Sequence, residues 1–316
     1  MSDSACPACS IVIPTWNGRE WVDRCLRSVL RSGDMGNVEI IVVDDGSTDG
    51  TQEHILASFP GVVVVRHEQN GGFGAACNKG VAQSGAPVVV LLNNDIVVEP
   101  GFLAPLLVNF RDDRVFAVNA RVFQMDGSTP GGGLVRGYFH GGLLRLRWAE
   151  RDADRERPTL SLYANGAAAA WSRAKFLELG GFDPLYAPFY SEDLDLSYRA
   201  WQRGWEIRYE PQSRARHEHS ATIKSAYEIR TVERISRRNR ILFVWRNIRD
   251  RRLLAYHALW MTLRGIGALL KGDRVFLQAL YDAIQRILEV CRRRAADPCP
   301  VVPDREILRK TSRWDG

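Results

Sequence analysis

The sequence predicts an α/β fold in which a mostly parallel central sheet has helices on both faces. Near-continuous apolar runs alternate with segments whose apolar residues recur at helical spacing, a pattern typical of strands buried on both faces. Polar residues gather where the predicted strands end. The length of 316 residues allows one large or two modest domains with a core that needs no disulfide or metal.

The predicted elements begin with four buried strands, at Ser10–Pro14, Val38–Val43, Val62–Arg66 and Pro87–Leu92. Glu20–Arg31 has apolar residues at helical spacing and follows the first strand. Thr48 and Asp49 are suitable caps for a second helix that runs to about Phe59. The glycine-rich segment Asn70–Gly80 predicts a loop that opens a third helix.

The pattern changes twice in the second half of the chain. From Asp126 to Pro158 the sequence is charged and glycine-rich, which predicts a mobile loop that acts as a lid. Regular structure resumes at Leu160, and beyond Tyr227 the chain is helical and basic. We therefore divide the chain into an α/β domain at 1–228 and a helical C-terminal region at 229–316.

Charge is unevenly distributed along the chain. The net charge is +6, but residues 229–316 contain 20 basic and 9 acidic side chains, whereas residues 1–228 contain 23 and 28. A basic tail suits an anionic lipid surface, a polyanion or a solvated helix face. The tail has no recognisable nucleic-acid recognition motif, so we expect no nucleic-acid partner.

Two amphipathic stripes occur in this tail. One comprises Leu253, Tyr256, Trp260 and Leu263; the other comprises Phe276, Leu277, Leu280, Ala283, Ile284, Ile287, Leu288 and Cys291. They predict either a helical cap, packed on the α/β domain or a second copy of the chain, or an interfacial segment at an anionic membrane. The stretch Leu253–Leu270 contains His257 and Arg264, so it is not predicted to span a membrane.

Composition and the first residues limit the class of protein. Hydrophobic residues make up 45% and charged residues 25%, which excludes collagen, coiled coil and wholesale disorder. Cys6 and Cys9 form a single C-x-x-C, for which free thiols are favoured over zinc. The N-terminal residues resemble no signal peptide. We expect a cytoplasmic protein, peripheral on the inner face of the cell membrane if the tail binds lipid.

Polar side chains mark one edge of the predicted sheet. Thr15, Asn17, Asp44, Asp45 and Asp95 all follow the carboxyl end of a strand. In open α/β sheets ligands bind in the crevice outside those ends. Strand-to-helix loops are often polar without binding anything, but three separate clusters at one edge favour a shared site.

Candidate chemistry lies in two further groups. Glu192, Asp193 and Asp195 place three carboxylates within four positions; repulsion and burial raise such a carboxyl pKa toward that of a useful base. An acidic first helical turn is the simpler interpretation. His217 and His219 are candidate metal ligands, and the carboxylate of Asp95 suits Mg²⁺ or Mn²⁺.

Seven motifs occur in a fixed order over residues 10–220, and together they resemble glycosyltransferase family 2. They are Ile11 to Asn17, Val42 to Asp49, Asn70 to Gly80, Leu91 to Asp95, Gly180 to Asp183, Glu192 to Arg199, and His217. Bacterial rhamnosyltransferases and galactofuranosyltransferases are the members that the chain resembles most. The resemblance implies a GT-A fold, Rossmann-like, with a C-terminal helical extension.

The resemblance also implies a role for individual residues. It implies nucleotide-sugar binding by Pro14, Thr15, Asn17, Asp44, Asp45, Gly74, Asn78 and Asn94. It implies catalysis by Asp193, as the base, with Glu192 beside it. It implies a Mg²⁺ or Mn²⁺ ion held by Asp95 and His217, with Asn93 in place of the first acid of the family's Asp-x-Asp motif. A neutral Asn93 predicts lower metal affinity.

The implied function is that of an inverting, metal-dependent glycosyltransferase. It would move a sugar from a nucleotide-diphosphate donor to a hydroxyl of a glycan or lipid-linked acceptor, with rhamnosyl transfer in cell-surface polysaccharide synthesis as one case. An inactive carbohydrate-binding or scaffolding protein is the main alternative. A dinucleotide-dependent oxidoreductase is a weaker one, because Gly72-Phe73-Gly74 only approaches the G-x-G-x-x-G pattern.

Overall fold

The computed structural model describes residues 8–33, 36–149, 153–218 and 227–312. The strands in these ranges are β1 Cys9–Thr15, β2 Val38–Asp44, β3 Val63–Arg66, β4 Val88–Leu92, β5 Ile96–Val98, β6 Val115–Gln124, β7 Pro130–Gly132, β8 Val135–His140, β9 Leu143–Trp148, β10 Thr159–Leu160, β11 Ala168–Ser172 and β12 Glu206–His217. The α-helices are α1 Arg19–Leu30, α2 Thr51–Ser58, α3 Phe73–Gln83, α4 Leu103–Val108, α5 Arg173–Glu178, α6 Glu192–Gln202, α7 Ile229–Asn247, α8 Arg251–Lys271, α9 Arg274–Gln285, α10 Ile287–Ala296 and α11 Asp304–Thr311.

The main sheet has the strand order β10-β12-β6-β11-β4-β1-β2-β3. The four strands predicted from apolar runs are all present, and they pair in parallel as β4-β1-β2-β3. The antiparallel strand β11 lies between β4 and β6 and joins this parallel half to the other strands. The predicted α/β class with a mostly parallel central sheet is confirmed.

Helices cover both faces of this sheet, as predicted. Alternate residues of β1 point to opposite faces, so Ile11 and Ile13 join one core cluster and Val12 joins the other. Gly80 of α3 lies so close to the sheet that a Cβ there would be 2.3 Å from Val12 Cγ1. The glycine therefore permits α3 to pack closely on β1 and β2.

The second helix begins later than its predicted caps. Gly50 precedes Thr51, and the Asp49 carboxylate accepts a hydrogen bond from the Thr51 amide at 3.1 Å. Thr48 makes no such cap; its own amide donates to the side-chain oxygen of Asn17 at 2.8 Å. The local sequence identified the helix. The position of Asn17, in the loop between β1 and α1, determined which side chain faces the first amide groups of that helix.

The lid predicted at 126–158 is wrong for the part that the structure describes. Strands β8 and β9 form an antiparallel hairpin there, and Val135, Leu143 and Leu144 are buried. Gly141 and Gly142 both have positive φ, at 59° and 74°, and connect the two strands. Two adjacent glycines between short apolar runs are a hairpin signal, which the surrounding charged residues obscured.

The C-terminal helices begin at Ile229, next to the predicted boundary of the helical region. Ile241, Leu242, Phe243 and Val244 of α7 are buried in the same core cluster as residues of α3 and α6. Side chains from both sides of the boundary thus share one core. The division at residue 228 stays a prediction.

Helix α8 is long and apolar enough to cross a membrane by length and composition, with a mean hydropathy of 1.3. Such a helix is weak evidence for a span, because core helices of soluble proteins meet the same criterion. One face of α8 packs inward through His257, Met261 and Ala268. The His257 ring bonds to the Gly142 carbonyl through Nδ1 at 2.6 Å and to the Trp245 indole through Nε2 at 2.9 Å.

Candidate functional site

A cavity of about 350 Å³ opens at the carboxyl ends of β1 and β4. Nine residues predicted for the site contribute to its wall: Pro14, Thr15, Asp45, Asn93, Asn94, Asp95, Glu192, Asp193 and His217. They come from five separate segments of the chain. Of the five polar strand-end residues expected to share one crevice, Thr15, Asp45 and Asp95 line this cavity.

Hydrogen bonds shape the floor of the cavity. The Asn94 amide donates to the Thr15 hydroxyl at 2.9 Å, which ties the end of β4 to the end of β1. The Asp45 carboxylate accepts bonds from the main-chain amides of Gly71 at 2.9 Å and Gly72 at 2.8 Å. Asp45 therefore holds the glycine loop that precedes α3 against the mouth of the site.

Asn17 and Asp44 do not line the cavity. Asn17 has a positive φ of 48° and its side-chain oxygen accepts from the Thr48 amide. Asp44 is fully buried and accepts from the Ser47 amide at 3.0 Å, with Arg66 3.4 Å away on the other carboxylate oxygen. Both side chains brace the loop between β2 and α2.

Gly74 and Asn78 also lie outside the cavity wall. Asn78 accepts from the Phe182 amide at 2.8 Å and donates to the Phe182 carbonyl at 2.9 Å. A Cβ on Gly74 would be 3.4 Å from the Phe182 Cβ. The two residues thus fit α3 against the turn that contains Phe182, at the base of the site.

Asp95 and His217 face each other across 3.0 Å, from Oδ1 to Nε2, in the wall of the cavity. Antiparallel pairing of β5 with β12 brings them together, since His217 lies opposite Ile96 in the register. Both side chains are mostly buried. The buried side-chain oxygen of Asn93 has no hydrogen-bond partner among the described residues.

These groups fit a divalent cation whose coordination sphere is completed by phosphate oxygens of a substrate. A carboxylate, an imidazole nitrogen and an unsatisfied amide oxygen are acceptable ligands for Mg²⁺ or Mn²⁺, which need only one or two carboxylates when a substrate supplies phosphates. The described residues contain no group of three or more His, Cys, Asp and Glu side chains placed to hold a metal. His219 and Cys6 lie outside the described residues.

Glu192 and Asp193 begin α6 and point into the same cavity. Asp193 accepts from the Leu194 amide at 2.8 Å and from the Gly166 amide at 3.4 Å. Burial nevertheless raises the pKa of Asp193 to about 6. Burial, and then the adjacent Asp193 charge, raises the pKa of Glu192 further, and its buried Oε2 has no hydrogen-bond partner among the described residues.

Asp195, the third acid of this cluster, has a different environment. It is fully buried and forms an ion pair with Arg199 at 2.8 Å. Its carboxylate also accepts from the Tyr186 hydroxyl and the Asn247 amide, both at 2.8 Å. Burial opposes ionisation, but Arg199 and Arg246 hold the pKa of Asp195 below its ordinary value. Asp195 therefore stays ionised and supports the fold.

The cavity wall also contains residues to which the sequence assigned no catalytic, nucleotide-sugar-binding or metal-binding role. They are Trp16, Asn70, Gly72, Phe73, Ala76, Asn165, Gly166, Ala167, Pro188, Phe189, Tyr190 and Tyr227. The ring of Phe189 contacts those of Tyr190 and Tyr227, with centroids 4.9 and 5.0 Å apart. Asn165-Gly166 is a typical turn dipeptide, so a signal existed for Gly166, whose amide reaches Asp193.

Comparisons with known proteins agree with this architecture. The family model described as glycosyl transferase family 2 matches residues 10–179. An N-acetylglucosaminyl-diphospho-decaprenol L-rhamnosyltransferase of Mycobacterium tuberculosis (strain CDC 1551 / Oshkosh) is 31% identical over 206 residues, which are 57% of this chain and 66% of the relative. The chain thus spans slightly under two thirds of that relative's length.

Two solved structures share the fold. GalNAc-T7, crystallised with UDP, GalNAc and Mn²⁺, has a TM-score of 0.63 at 23% identity, covering 77% of this chain and 48% of that one. S. aureus TarS 1-349 with UDP-GlcNAc has a TM-score of 0.58 at 17% identity, covering 90% and 83%. With the family model matching more than half of its residues, the chain belongs to glycosyl transferase family 2.

Proposed function

We propose that the chain is an inverting, metal-dependent glycosyltransferase that moves a sugar from a nucleoside-diphosphate sugar to an acceptor hydroxyl. The main support is the content of one cavity. A carboxyl with a raised pKa, Asp193, lines the same cavity as the Asp95–His217 pair. The first suits a general base and the second suits a cation on the donor diphosphate.

The reaction exchanges one bond to the anomeric carbon for another. The acceptor oxygen attacks that carbon as its proton passes to the Asp193 carboxylate. The bond from the anomeric carbon to the diphosphate oxygen breaks, and its electron pair leaves with the nucleoside diphosphate. Attack from the face opposite the leaving group inverts the configuration. Glu192, protonated near neutral pH because its pKa is raised, offers a hydroxyl donor beside the base.

A divalent cation would act on the leaving-group side of the reaction, at the donor diphosphate. Asp95 and His217 would hold it, and the Asn93 oxygen would be a neutral third ligand. When bound, such a cation offsets the negative charge that develops on the leaving diphosphate. The structure of GalNAc-T7 contains Mn²⁺ together with UDP, which supports a similar requirement here.

The relatives and the cavity wall also support a class of acceptor. The M. tuberculosis relative is named for rhamnosyl transfer to a diphosphate-linked decaprenol carrier. We extend this to a glycan or lipid-linked acceptor of cell-wall or other surface polysaccharide synthesis. Tyr190 and Tyr227 are exposed by more than a third beside the cavity, where aromatic faces can pack on a sugar ring.

A donor screen tests the proposal. Purified protein is incubated with dTDP-, UDP- and GDP-sugars, with Mg²⁺, Mn²⁺ or chelator, and release of nucleoside diphosphate is measured with and without a lipid-linked acceptor. We expect release from one donor class that depends on metal and on acceptor. The Asp193→Asn variant is the matched control. Donor binding without any turnover, in all combinations, would instead favour the inactive carbohydrate-binding protein.

A further inference from the structure

Helix α8 presents an apolar row to solvent. Leu259, Leu263, Ile266 and Leu270 are each more than half exposed, and their spacing of four, three and four residues aligns them along one side of the helix. The opposite side is the one that packs inward through His257. The described part of the chain thus buries one side of α8 and leaves the apolar opposite side uncovered.

A second apolar row lies on the neighbouring helices α9 and α10. Tyr281, Ile284 and Leu288 are at least half exposed, again at helical spacing. Phe276, Ala279 and Ala283 of α9 are buried on its inner side. Two ion pairs fix the inner side of α9 to α7, Arg234 to Asp282 at 2.6 Å and Arg237 to Asp273 at 2.7 Å.

The seven side chains of these rows, together with the adjacent Leu269 and Ile287, make up nine of the 22 large exposed hydrophobic side chains found among the described residues. The nine are Leu259, Leu263, Ile266, Leu269, Leu270, Tyr281, Ile284, Ile287 and Leu288. Single exposed hydrophobic residues are common on soluble proteins, but a contiguous concentration marks an interaction surface. We call this set the C-terminal apolar surface.

The charged side chains of α8 itself are basic, and the neighbouring acids Asp250, Asp273 and Asp282 are each paired with an arginine. Helix α8 contains no acidic residue, and its charged residues are Arg251, Arg252, Arg264 and Lys271. The exposed Arg251 and Arg252 lie at one end of the helix, whereas Lys271 and Arg274 lie at the other. Burial and then the nearby Arg145 and Arg237 lower the pKa of Arg264, so the positive charges extend onto its inner side. The apolar row thus lies between two basic ends.

This combination favours an anionic lipid bilayer over a second copy of the chain. In a two-fold symmetric dimer the same patch meets itself, which would place arginines near arginines. A bilayer supplies apolar acyl chains for the leucine rows and phosphate headgroups for the basic ends. The inward contacts of His257 with Gly142 and Trp245 would be lost if α8 crossed the membrane, so a helix lying in the interface suits the fold better.

We propose that the C-terminal apolar surface docks the protein on an anionic membrane, with α8 lying in the plane of the interface. Nothing in this proposal depends on the sugar, the metal or the turnover of the enzyme. Docking would hold the protein at a membrane, where lipid-linked acceptors reside. The position of the protein at the inner face of the cell membrane is part of the same proposal.

Sedimentation of the full chain with vesicles tests it. The vesicles contain either phosphatidylcholine alone or phosphatidylcholine with one third phosphatidylglycerol. We expect binding to the anionic vesicles that falls at least about tenfold from low to high salt, because salt screens the basic ends. The double substitution Leu263→Ser with Ile266→Ser should abolish binding, and Arg252→Gln with Lys271→Gln should weaken it mainly at low salt.

The chain offers a matched control on its other face. Leu30 and Leu56 are 48% and 56% exposed, close to the 51% and 52% of Leu263 and Ile266, but they lie on α1 and α2. The double substitution Leu30→Ser with Leu56→Ser should leave vesicle binding unchanged, with circular dichroism confirming that every variant is folded.

Any of three results would overturn the proposal. The intact chain does not bind anionic vesicles, or the control variant loses as much binding as Leu263→Ser with Ile266→Ser, or high salt does not reduce the binding. The surface would instead be assigned to a second copy of the chain by a different result. In that case the intact chain does not bind vesicles and forms a dimer in solution, and Leu263→Ser with Ile266→Ser dissociates the dimer.

Discussion

The side-chain amide of Asn239 donates a hydrogen bond to the main-chain carbonyl of Tyr190 across 2.8 Å. The same amide, fully buried on α7, also contacts the carbonyl oxygens of Tyr186 at 2.8 Å and Phe189 at 2.9 Å. Tyr190 and Ser191 have positive φ values of 72° and 80°, immediately before Glu192 and Asp193. One side chain of the C-terminal region therefore holds the turn that positions the acidic pair.

Replacing this amide should affect turnover as well as stability. We expect Asn239→Ala to lower kcat by about one to two orders of magnitude, because a turn with unpaired carbonyls no longer holds Asp193 in place. Leaving buried carbonyls unsatisfied should also cost about 1–3 kcal/mol. The donor KM should change little, since Asn239 contributes no atom to the cavity wall.

Gln202→Ala is the matched control for Asn239. Gln202 is also buried, and its amide donates to the Asn247 carbonyl at 2.7 Å without contacting the turn. It should lose comparable stability in thermal unfolding while kcat is retained. If both variants lose kcat in proportion to stability, Asn239 has only a structural role.

The Asp193 carboxylate is expected to be indispensable for the chemical step. Asp193→Asn keeps the shape of the side chain but removes the base, so turnover should fall by about 10²–10⁴-fold. Donor binding, followed by calorimetry with the nucleoside diphosphate, should survive. The exposed Asp113→Asn serves as a control and should behave as the parent. Near-normal turnover of Asp193→Asn would remove Asp193 from the role of base.

The pH dependence of kcat/KM should report the raised pKa of Asp193. Because the base acts only when deprotonated, activity should rise with pH and level off above the folded-state pKa of about 6. The acid limb should therefore lie well above the range of an ordinary aspartate, near 4. An acid limb with a midpoint near pH 4 would show that the Asp193 carboxyl is hydrated during turnover.

Glu192 should make stability depend on pH in the opposite sense to an ion-paired acid. Its folded pKa is raised, so its contribution to stability is present below the unfolded pKa and is lost as pH rises through the folded pKa. Glu192→Gln removes this ionisation. We expect the Tm of the variant to exceed that of the parent by a few degrees at pH 9, with a smaller difference at pH 6.

Thermal unfolding of both proteins across this pH interval is the measurement. Glu306→Gln is a suitable control, because Glu306 lies on α11 and pairs with Lys310 at the surface. A Tm difference for Glu192→Gln that is constant from pH 6 to pH 9 would contradict the burial of an uncompensated carboxyl.

Replacing either residue of the Asp95–His217 pair should impair turnover at low concentrations of metal, so that more metal is needed. Asp95→Ala and His217→Ala should each raise the Mn²⁺ concentration for half-maximal turnover by about 10–100-fold, because each would delete one of the ligands proposed for the cation. Glu218→Gln is the adjacent control, since Glu218 pairs with Arg24 at the surface. Unchanged Mn²⁺ dependence in both alanine variants would place the cation elsewhere.

The sequence by itself determined the local elements and half of the site. Apolar runs and helical spacing predicted β1 to β4 and the helices between them, since these patterns depend only on which residues alternate along a strand or recur along a helix. The position of Asp95 after an apolar strand, and of Asp193 in an acidic helical turn, was visible in the same way.

Only the tertiary structure decided which of these side chains meet and in what environment. The family resemblance implied that Asp95 and His217 meet, but only the structure shows how: antiparallel pairing of β5 with β12 joins two distant segments that no local pattern connects. The support of the Tyr190 turn by Asn239 and the outward apolar row on α8 likewise depend on how α7 and α8 pack. Burial, which raises the pKa of Asp193, is a property of the closed fold, because desolvation requires neighbours from several elements at once.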